Sequence, residues 1–177
     1  MTAASCSTSN FVAPPAATDS NFNDSNTSFS LPLLALDIGK KRIGVAVSDR
    51  MGLSCSGVTC LHRNDSGWPQ QALKVIREYG CKGVVIGLAK NMDGSEGDQA
   101  ADCRKGAKEL ATVTDLPIRF QDERLSTWTA KERLFAQGLN EKRVKEKLDQ
   151  TAAAVFLEDF IAAHPQLKQD RKPDKGR

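Results

Sequence analysis

The spacing of hydrophobic residues predicts that strands and helices alternate through the middle of the chain. Residues 33–37 form a short apolar run typical of a buried strand, and residues 83–88 form a continuous β-branched run typical of a central strand. Residues 69–79 instead carry apolar side chains at helical spacing, with Pro69 suited to the first turn. The strand-like apolar runs and the helical spacing together predict an α/β protein.

The remaining elements follow from the same signals. We expect further strands at residues 43–48, 57–61 and 117–121, and further helices at residues 98–112, at 127–137 and from 141 onward. Gly39 in the short 38–42 connection predicts a hairpin between the first two strands. A three-strand antiparallel meander followed by parallel strands predicts a mixed five-stranded sheet with helices on both faces.

Composition divides the 177-residue chain into one domain with polar ends. Residues 1–30 contain 17 Ser, Thr, Asn or Asp, so we expect a disordered tail there, a domain over residues 31–165 and a basic disordered tail over 166–177. A net charge of +3 is too small to indicate nucleic-acid binding by itself. No apolar run is long enough to span a membrane. Five scattered cysteines without a C-x-x-C pair favour reduced thiols and a cytoplasmic location.

Three carboxylates fall where an α/β sheet would place a site. Asp37 lies at the carboxyl end of the first strand, Glu123 just past the carboxyl end of the 117–121 strand, and Asp149 at the start of the terminal helix. Helical spacing puts four apolar side chains on the face of Asp149: Ala152, Ala153, Phe156 and Phe160.

Converging carboxylates repel one another unless a cation joins them, and Mg²⁺ prefers such oxygen ligands. Two such ions could activate a water and stabilise the leaving oxygen of a phosphodiester. Each acid also has a purely structural interpretation. Asp37 could be a turn residue, Glu123 a surface partner of Arg124, and Asp149 a helix N-cap.

Four blocks in order resemble the motifs of the YqgF family. They are residues 36–49 (LDIGKKRIGVAVSD), 87–97 (GLAKNMDGSEG), 122–127 (DERLST) and 149–154 (DQTAAA). Members of that family are described as Holliday-junction resolvases and as nucleases that trim the 5′ end of pre-16S rRNA, with a ribonuclease H-like fold. The resemblance runs from about residue 33 to 163. Two positions depart from the pattern: Ala89 replaces the usual proline, and Lys40 replaces a small hydroxyl residue.

The resemblance implies roles for individual residues. Asp37, Glu123 and Asp149 take the metal-binding, catalytic positions, and the implied cofactor is Mg²⁺ or Mn²⁺. Basic and polar residues beside these acids are candidate nucleic-acid contacts: Lys40, Lys41, Arg42, Lys90, Asn91 and Arg124. Lys40 could instead pair with Asp37 in the absence of metal.

These features lead to a ranked set of functional hypotheses. The first is a Mg²⁺-dependent endonuclease acting on structured nucleic acid, with pre-16S rRNA favoured over branched DNA. Alternatives are a Holliday junction resolvase, a non-catalytic nucleic-acid-binding module and, since Asp37-x-Gly39 also resembles a phosphate-gripping loop, an ATP-binding unit. The expected partner is nucleic acid rather than a membrane. The protein is expected to be a monomer or a homodimer, because symmetric cutting of two strands requires a two-fold dimer.

Overall fold

A computed structural model describes residues 29–88, 97–122, 126–138 and 140–168 of the chain. The strands are β1 (Leu33–Ile38), β2 (Arg42–Ser48), β3 (Cys55–His62), β4 (Gly83–Leu88) and β5 (Ile118–Asp122). The helices are α1 (Trp68–Tyr79), α2 (Asp98–Ala111), α3 (Ser126–Ala136) and α4 (Glu141–Ala163), followed by a 3₁₀ turn at Pro165–Lys168. Most residues of the two predicted tails, 1–28 and 169–177, lie outside the described residues.

The five strands form one mixed sheet in the order β3-β2-β1-β4-β5. β2 is antiparallel to both β1 and β3, whereas β4 is parallel to β1 and to β5. The β1–β2 connection is tight, because the Gly39 N–H donates to the carbonyl of Arg42 across 2.9 Å. The predicted sheet, its meander and its parallel strands are therefore confirmed.

The side chains of β1 alternate between two hydrophobic cores. Leu34 and Leu36 belong to the core that lies under α1 and α2. Leu33 and Ala35 belong to the core on the opposite face, which α4 covers. Since successive strand residues point to opposite faces, Asp37 follows Leu33 and Ala35 onto the α4 face. The sheet thus carries the first candidate acid toward the last helix.

α4 is one continuous helix that begins at Glu141, eight residues before Asp149. The prediction that Asp149 stands at the start of a helix is therefore wrong, and an N-cap role is excluded. The expected sheet-facing stripe is right for Ala153, Phe156 and Phe160, which pack in the α4-side core. Ala152 instead packs with Ala130, because α3 covers that side of α4.

Glycine permits a close approach between β2 and α4. A Cβ on Gly44 would lie 2.1 Å from the carbonyl oxygen of Asp149 and 2.3 Å from its carbonyl carbon. Both atoms belong to the backbone, so neither can rotate away. Gly44 therefore allows the helix backbone to rest directly on the strand beside Asp149.

Residues at both ends of the described region pack against the sheet and α4. Phe29 is buried and meets the Phe160 ring edge-on, with centroids 5.7 Å apart. Leu167 in the 3₁₀ turn is buried in the same core. Cys55, Cys60, Cys81 and Cys103 all carry free thiols. In the described part of the chain, no helix is long and apolar enough to cross a membrane.

Candidate active site

The structure brings Asp37 and Asp149 together at the end of β1. Asp37 pairs with Gly44 in the β1–β2 register, and Gly44 lies directly beneath the backbone of Asp149. Burial and the neighbouring Asp149 carboxylate raise the pKa of Asp37 to about 7. Two acids that are 112 positions apart in the sequence therefore share one electrostatic environment.

Arg42 is the cation that pairs with this acidic cluster. Its Nε lies 2.7 Å from Oδ2 of Asp149. The sequence assigned Arg42 only to nucleic-acid contact and missed this ion pair. The strand period could have indicated it, because Arg42 and Gly44 are two residues apart and therefore share the face of β2 that α4 covers.

Cys60 is a second donor to Asp149 that the sequence analysis did not find. It lies opposite Gly44 in the β2–β3 register, and its Sγ is 3.8 Å from Oδ2 of Asp149. Burial and the Asp149 charge raise the pKa of this thiol, so Cys60 is a neutral donor near pH 7. Arg42 and Cys60 thus both approach the same carboxylate oxygen.

The chemistry of this cluster fits a hard divalent cation. Asp37 and Asp149 offer carboxylate oxygens, which Mg²⁺ prefers. The pKa of Asp37 is raised first by burial and then by the Asp149 charge, so a second negative charge is unfavourable at this position. Within the ranges that the structure describes, no group of three or more His, Cys, Asp or Glu side chains could hold a metal ion. Glu123, the third predicted ligand, lies outside those ranges and directly follows the end of β5.

The candidate nucleic-acid contacts are described only in part. Lys40 and Lys41 are exposed in the β1–β2 turn, close in sequence to Asp37. Among the described residues no ion pair joins Lys40 to Asp37, so the cation beside the two acids is Arg42. Lys90, Asn91 and Arg124 lie outside the described residues.

A polar groove of about 530 Å³ lies on the other side of the sheet, near α1 and α2. Gly39 and Lys40 form one wall, and Arg63, Trp68 and Glu109 form another. Arg63 bonds the Glu109 carboxylate and lies 5.3 Å from the Trp68 ring centre, while Trp68 Nε1 donates to Glu109 Oε2 across 2.9 Å. The polar groups in this wall therefore satisfy one another, and the candidate catalytic acids lie elsewhere.

The acids Asp37 and Asp149 thus meet at the end of the central strand β1, beside the basic residues of the β1–β2 turn. Residues 32–163 match the family model described as RuvX, Holliday junction resolvase. The match covers about three quarters of the chain. The protein therefore belongs to the RuvX family and is a nuclease with a nucleic-acid substrate. This confirms the resemblance, and the mixed five-stranded sheet confirms the predicted α/β class.

The chain also matches curated relatives over most of their length. The chain is 38% identical over 130 residues to a protein of Moorella thermoacetica, covering 73% of this chain and 93% of the relative. It is 39% identical over 142 residues to a protein of Myxococcus xanthus, covering 80% of this chain and 94% of the relative. It is 44% identical over 127 residues to a protein of Paracoccus denitrificans, covering 71% of this chain and 80% of the relative. All three carry the name "putative pre-16S rRNA nuclease".

More distant similarity links the chain to solved structures of resolvases. Thermus thermophilus RuvC in complex with a Holliday junction substrate aligns with a TM-score of 0.47 and 14% identity, over 75% of this chain and 95% of that one. The fowlpox virus Holliday junction resolvase aligns with a TM-score of 0.43 and 11% identity, over 75% and 99%. The family assignment rests on the family model and the curated relatives.

Proposed function

We propose that the protein is a Mg²⁺-dependent endonuclease that hydrolyses phosphodiester bonds in structured RNA, with the 5′ end of pre-16S rRNA as its substrate. The observation that carries this proposal is the pairing of Asp37 with Asp149, where burial and mutual repulsion raise the pKa of Asp37. The names of the curated relatives support the choice of substrate. Processing of a ribosomal precursor places the protein in the cytoplasm.

Asp37, Asp149 and Glu123 are the residues that would hold the cation. Mg²⁺ or Mn²⁺ bound there supplies a water of lowered pKa and offsets the charge on the leaving oxygen. The chain itself fixes the two described acids, Asp37 on a strand and Asp149 on a helix that rests on Gly44. Rigid elements hold ligands more reproducibly than loops do.

Basic residues beside the acids orient the substrate. Lys40 and Lys41 are exposed in the turn that follows Asp37, and Arg42 begins the next strand. Their positive charges lie where a phosphate backbone must pass to reach the carboxylates. Backbone contacts of this kind position a nucleic acid without reading its sequence. Cutting one RNA strand requires a single site, so a monomer suffices for this activity.

Cleavage of matched substrates tests the proposal. Purified protein is incubated with a precursor RNA containing the 5′ end of 16S rRNA and with a four-way DNA junction, in Mg²⁺, Mn²⁺ or chelator. We expect metal-dependent cleavage of the RNA, its loss in Asp37→Asn and Asp149→Asn, and its retention in Glu109→Gln. RNA cleavage that persists in chelator, or is unchanged in both Asn variants, would contradict the assignment.

The description of the family favours a second function, resolution of Holliday junctions. Symmetric cutting of a junction requires two active sites related by a two-fold axis. Paired nicks in the DNA junction, together with a dimer in analytical ultracentrifugation, would support this function in place of the first. Tight RNA binding without cleavage under any divalent ion would instead support a non-catalytic binding module.

A further inference from the structure

Arg42 contacts the same carboxylate that the proposed function assigns to a divalent cation. Its Nε lies 2.7 Å from Oδ2 of Asp149. The two side chains expose 37% and 27% of their surface, so solvent ions reach both partners. A guanidinium and a divalent cation on one carboxylate repel each other. The ion pair therefore opposes metal binding for as long as it persists.

The position of Arg42 gives it a second anion to bind. It begins β2 directly after the turn that exposes Lys40 and Lys41, where the proposed function brings a phosphate. A guanidinium binds carboxylate and phosphate with the same planar set of donors. Arg42 can therefore exchange the Asp149 carboxylate for a phosphate oxygen.

We infer that Arg42 is a displaceable counter-ion that couples metal binding to nucleic-acid binding. Without substrate, it neutralises Asp149 and weakens the site for divalent cations. A bound phosphate draws Arg42 away, and the metal affinity rises. Because such coupling is reciprocal, the metal also strengthens nucleic-acid binding by the same factor. This inference rests on the proposed function and adds a residue that controls when the site takes up its cation.

A second ion pair in the chain supplies a matched control. Arg133 Nη1 lies 2.7 Å from Oε2 of Glu158, and the two side chains expose 47% and 36% of their surface. Glu158 follows Asp149 by nine residues on α4, which is about 13 Å along the helix axis. That separation exceeds the screening length of about 8 Å at physiological salt. Arg133→Gln therefore removes the same charge without acting on the site.

Mn²⁺ affinity of the full chain tests the inference without measuring catalysis. Electron paramagnetic resonance of free Mn²⁺ gives the affinity for the wild type and for Arg42→Gln, Arg42→Lys and Arg133→Gln. Arg42→Met provides a second neutral variant, and circular dichroism confirms that each variant is folded. Each titration is repeated with a phosphorothioate RNA oligonucleotide that resists hydrolysis.

The inference predicts a specific pattern of affinities. Both neutral variants of Arg42 bind Mn²⁺ about tenfold more tightly than the wild type, which corresponds to about 1.4 kcal/mol. Arg42→Lys and Arg133→Gln stay within about twofold of the wild type. The oligonucleotide tightens Mn²⁺ binding to the wild type about fivefold and leaves the affinity of Arg42→Gln unchanged.

Two other results would overturn it in distinguishable ways. If the wild type binds Mn²⁺ and the neutral variants bind it equally or more weakly, Arg42 orients Asp149 instead of competing with metal, and the proposed function stands. If the wild type binds no Mn²⁺ with or without the oligonucleotide, the metal-dependent function fails, and the inference fails with it.

Discussion

Two arginine–carboxylate clusters lie on opposite faces of the sheet and differ in how their charges balance. On the face covered by α1 and α2, Glu109 is bonded by Arg63 and Trp68. Partial burial alone would raise the pKa of Glu109, but these hydrogen bonds and the Arg63 charge lower it overall. On the α4 face, burial and Asp149 raise the pKa of Asp37 to about 7.

The difference supports a structural role for Glu109 and the metal-binding role that we propose for Asp37 and Asp149. Glu109 has one arginine and one indole donor for a single carboxylate, and the cluster gains stability from its charge. Arg42 pairs with Asp149, whereas burial and the Asp149 charge both disfavour the charged form of Asp37. Strongly perturbed acids of the second kind mark functional sites, since the protein tolerates their cost only where a ligand offsets it.

Activity provides the largest contrast between the two clusters. Asp37→Asn and Asp149→Asn are each expected to lower metal-dependent cleavage by at least about 1,000-fold, or about 4 kcal/mol in the barrier. Glu109→Gln is expected to stay within about threefold of the wild type, because it lies on the opposite face. Initial rates on the precursor RNA measure both. Equal losses in all three variants would contradict the separation of the two clusters.

The next largest effect is the change in stability when a glycine between the sheet and a covering helix is replaced by alanine. Gly44→Ala is expected to destabilise the fold by about 3 kcal/mol or more, because the new Cβ meets the backbone of Asp149. Gly106→Ala on α2 is the control. Its Cβ would lie 2.6 Å from the terminal Cδ1 of Ile38, which can move by side-chain rotation, and 3.6 Å or more from its other neighbours. Alanine also favours a helix, so we expect a change within about 1 kcal/mol. Urea denaturation measures both, and similar losses would contradict this account.

Removal of one carboxylate charge should change stability with opposite signs in the two clusters. In metal-free protein at pH 8, Asp37→Asn relieves burial and repulsion and is expected to stabilise the fold by the order of 2 kcal/mol. Glu109→Gln weakens its bonds to Arg63 and Trp68 and is expected to destabilise the fold by about 1–2 kcal/mol. Thermal unfolding in chelator gives both values. Destabilisation by both substitutions would show that Asp37 is also a structural acid.

The pH dependence of stability shows the same opposition between the two clusters. The pKa of Asp37 rises from 3.8 to about 7 on folding. The charged form of Asp37 therefore lowers the stability of the fold in full above pH 7, and this loss of stability disappears as the pH falls toward 4. The pKa of Glu109 is lowered from 4.5, so its contribution is present above 4.5 and lost as the pH falls through its lower folded pKa.

Denaturation of the metal-free protein between pH 8 and pH 3 resolves these two contributions. From pH 8 to pH 5, the wild type should gain stability relative to Asp37→Asn. Below pH 4.5, the wild type should lose stability relative to Glu109→Gln. A stability difference between wild type and Asp37→Asn that does not change from pH 8 to pH 5 would contradict the raised pKa.

The sequence predicts the fold well because the fold depends on local patterns. Continuous apolar runs define β1 and β4, and Gly39 marks the turn between the first two strands. The start of α4 relative to Asp149 was harder to predict. Polar residues precede Asp149, so the apolar pattern becomes continuous only in the middle of the helix.

The site is less predictable because it depends on contacts between distant residues. The apolar run before Asp37 predicts that this residue lies at a strand end. Its pairing with Asp149, however, requires the close approach of α4 that Gly44 allows. The contacts of Arg42 and Cys60 with Asp149 depend on the antiparallel register of β2 and β3. The strand period places Arg42 on the same face as Gly44, but no local pattern reports the register that aligns Cys60 with Gly44.

The central claim is that Asp37 and Asp149 together bind a divalent cation. Crystals of the full chain soaked in Mn²⁺, with diffraction measured where manganese scatters anomalously, test it most directly. We predict an anomalous peak within coordination distance of carboxylate oxygens of both residues, and its loss in crystals of Asp149→Asn. A peak that lies elsewhere, or that persists unchanged in that variant, would contradict the claim.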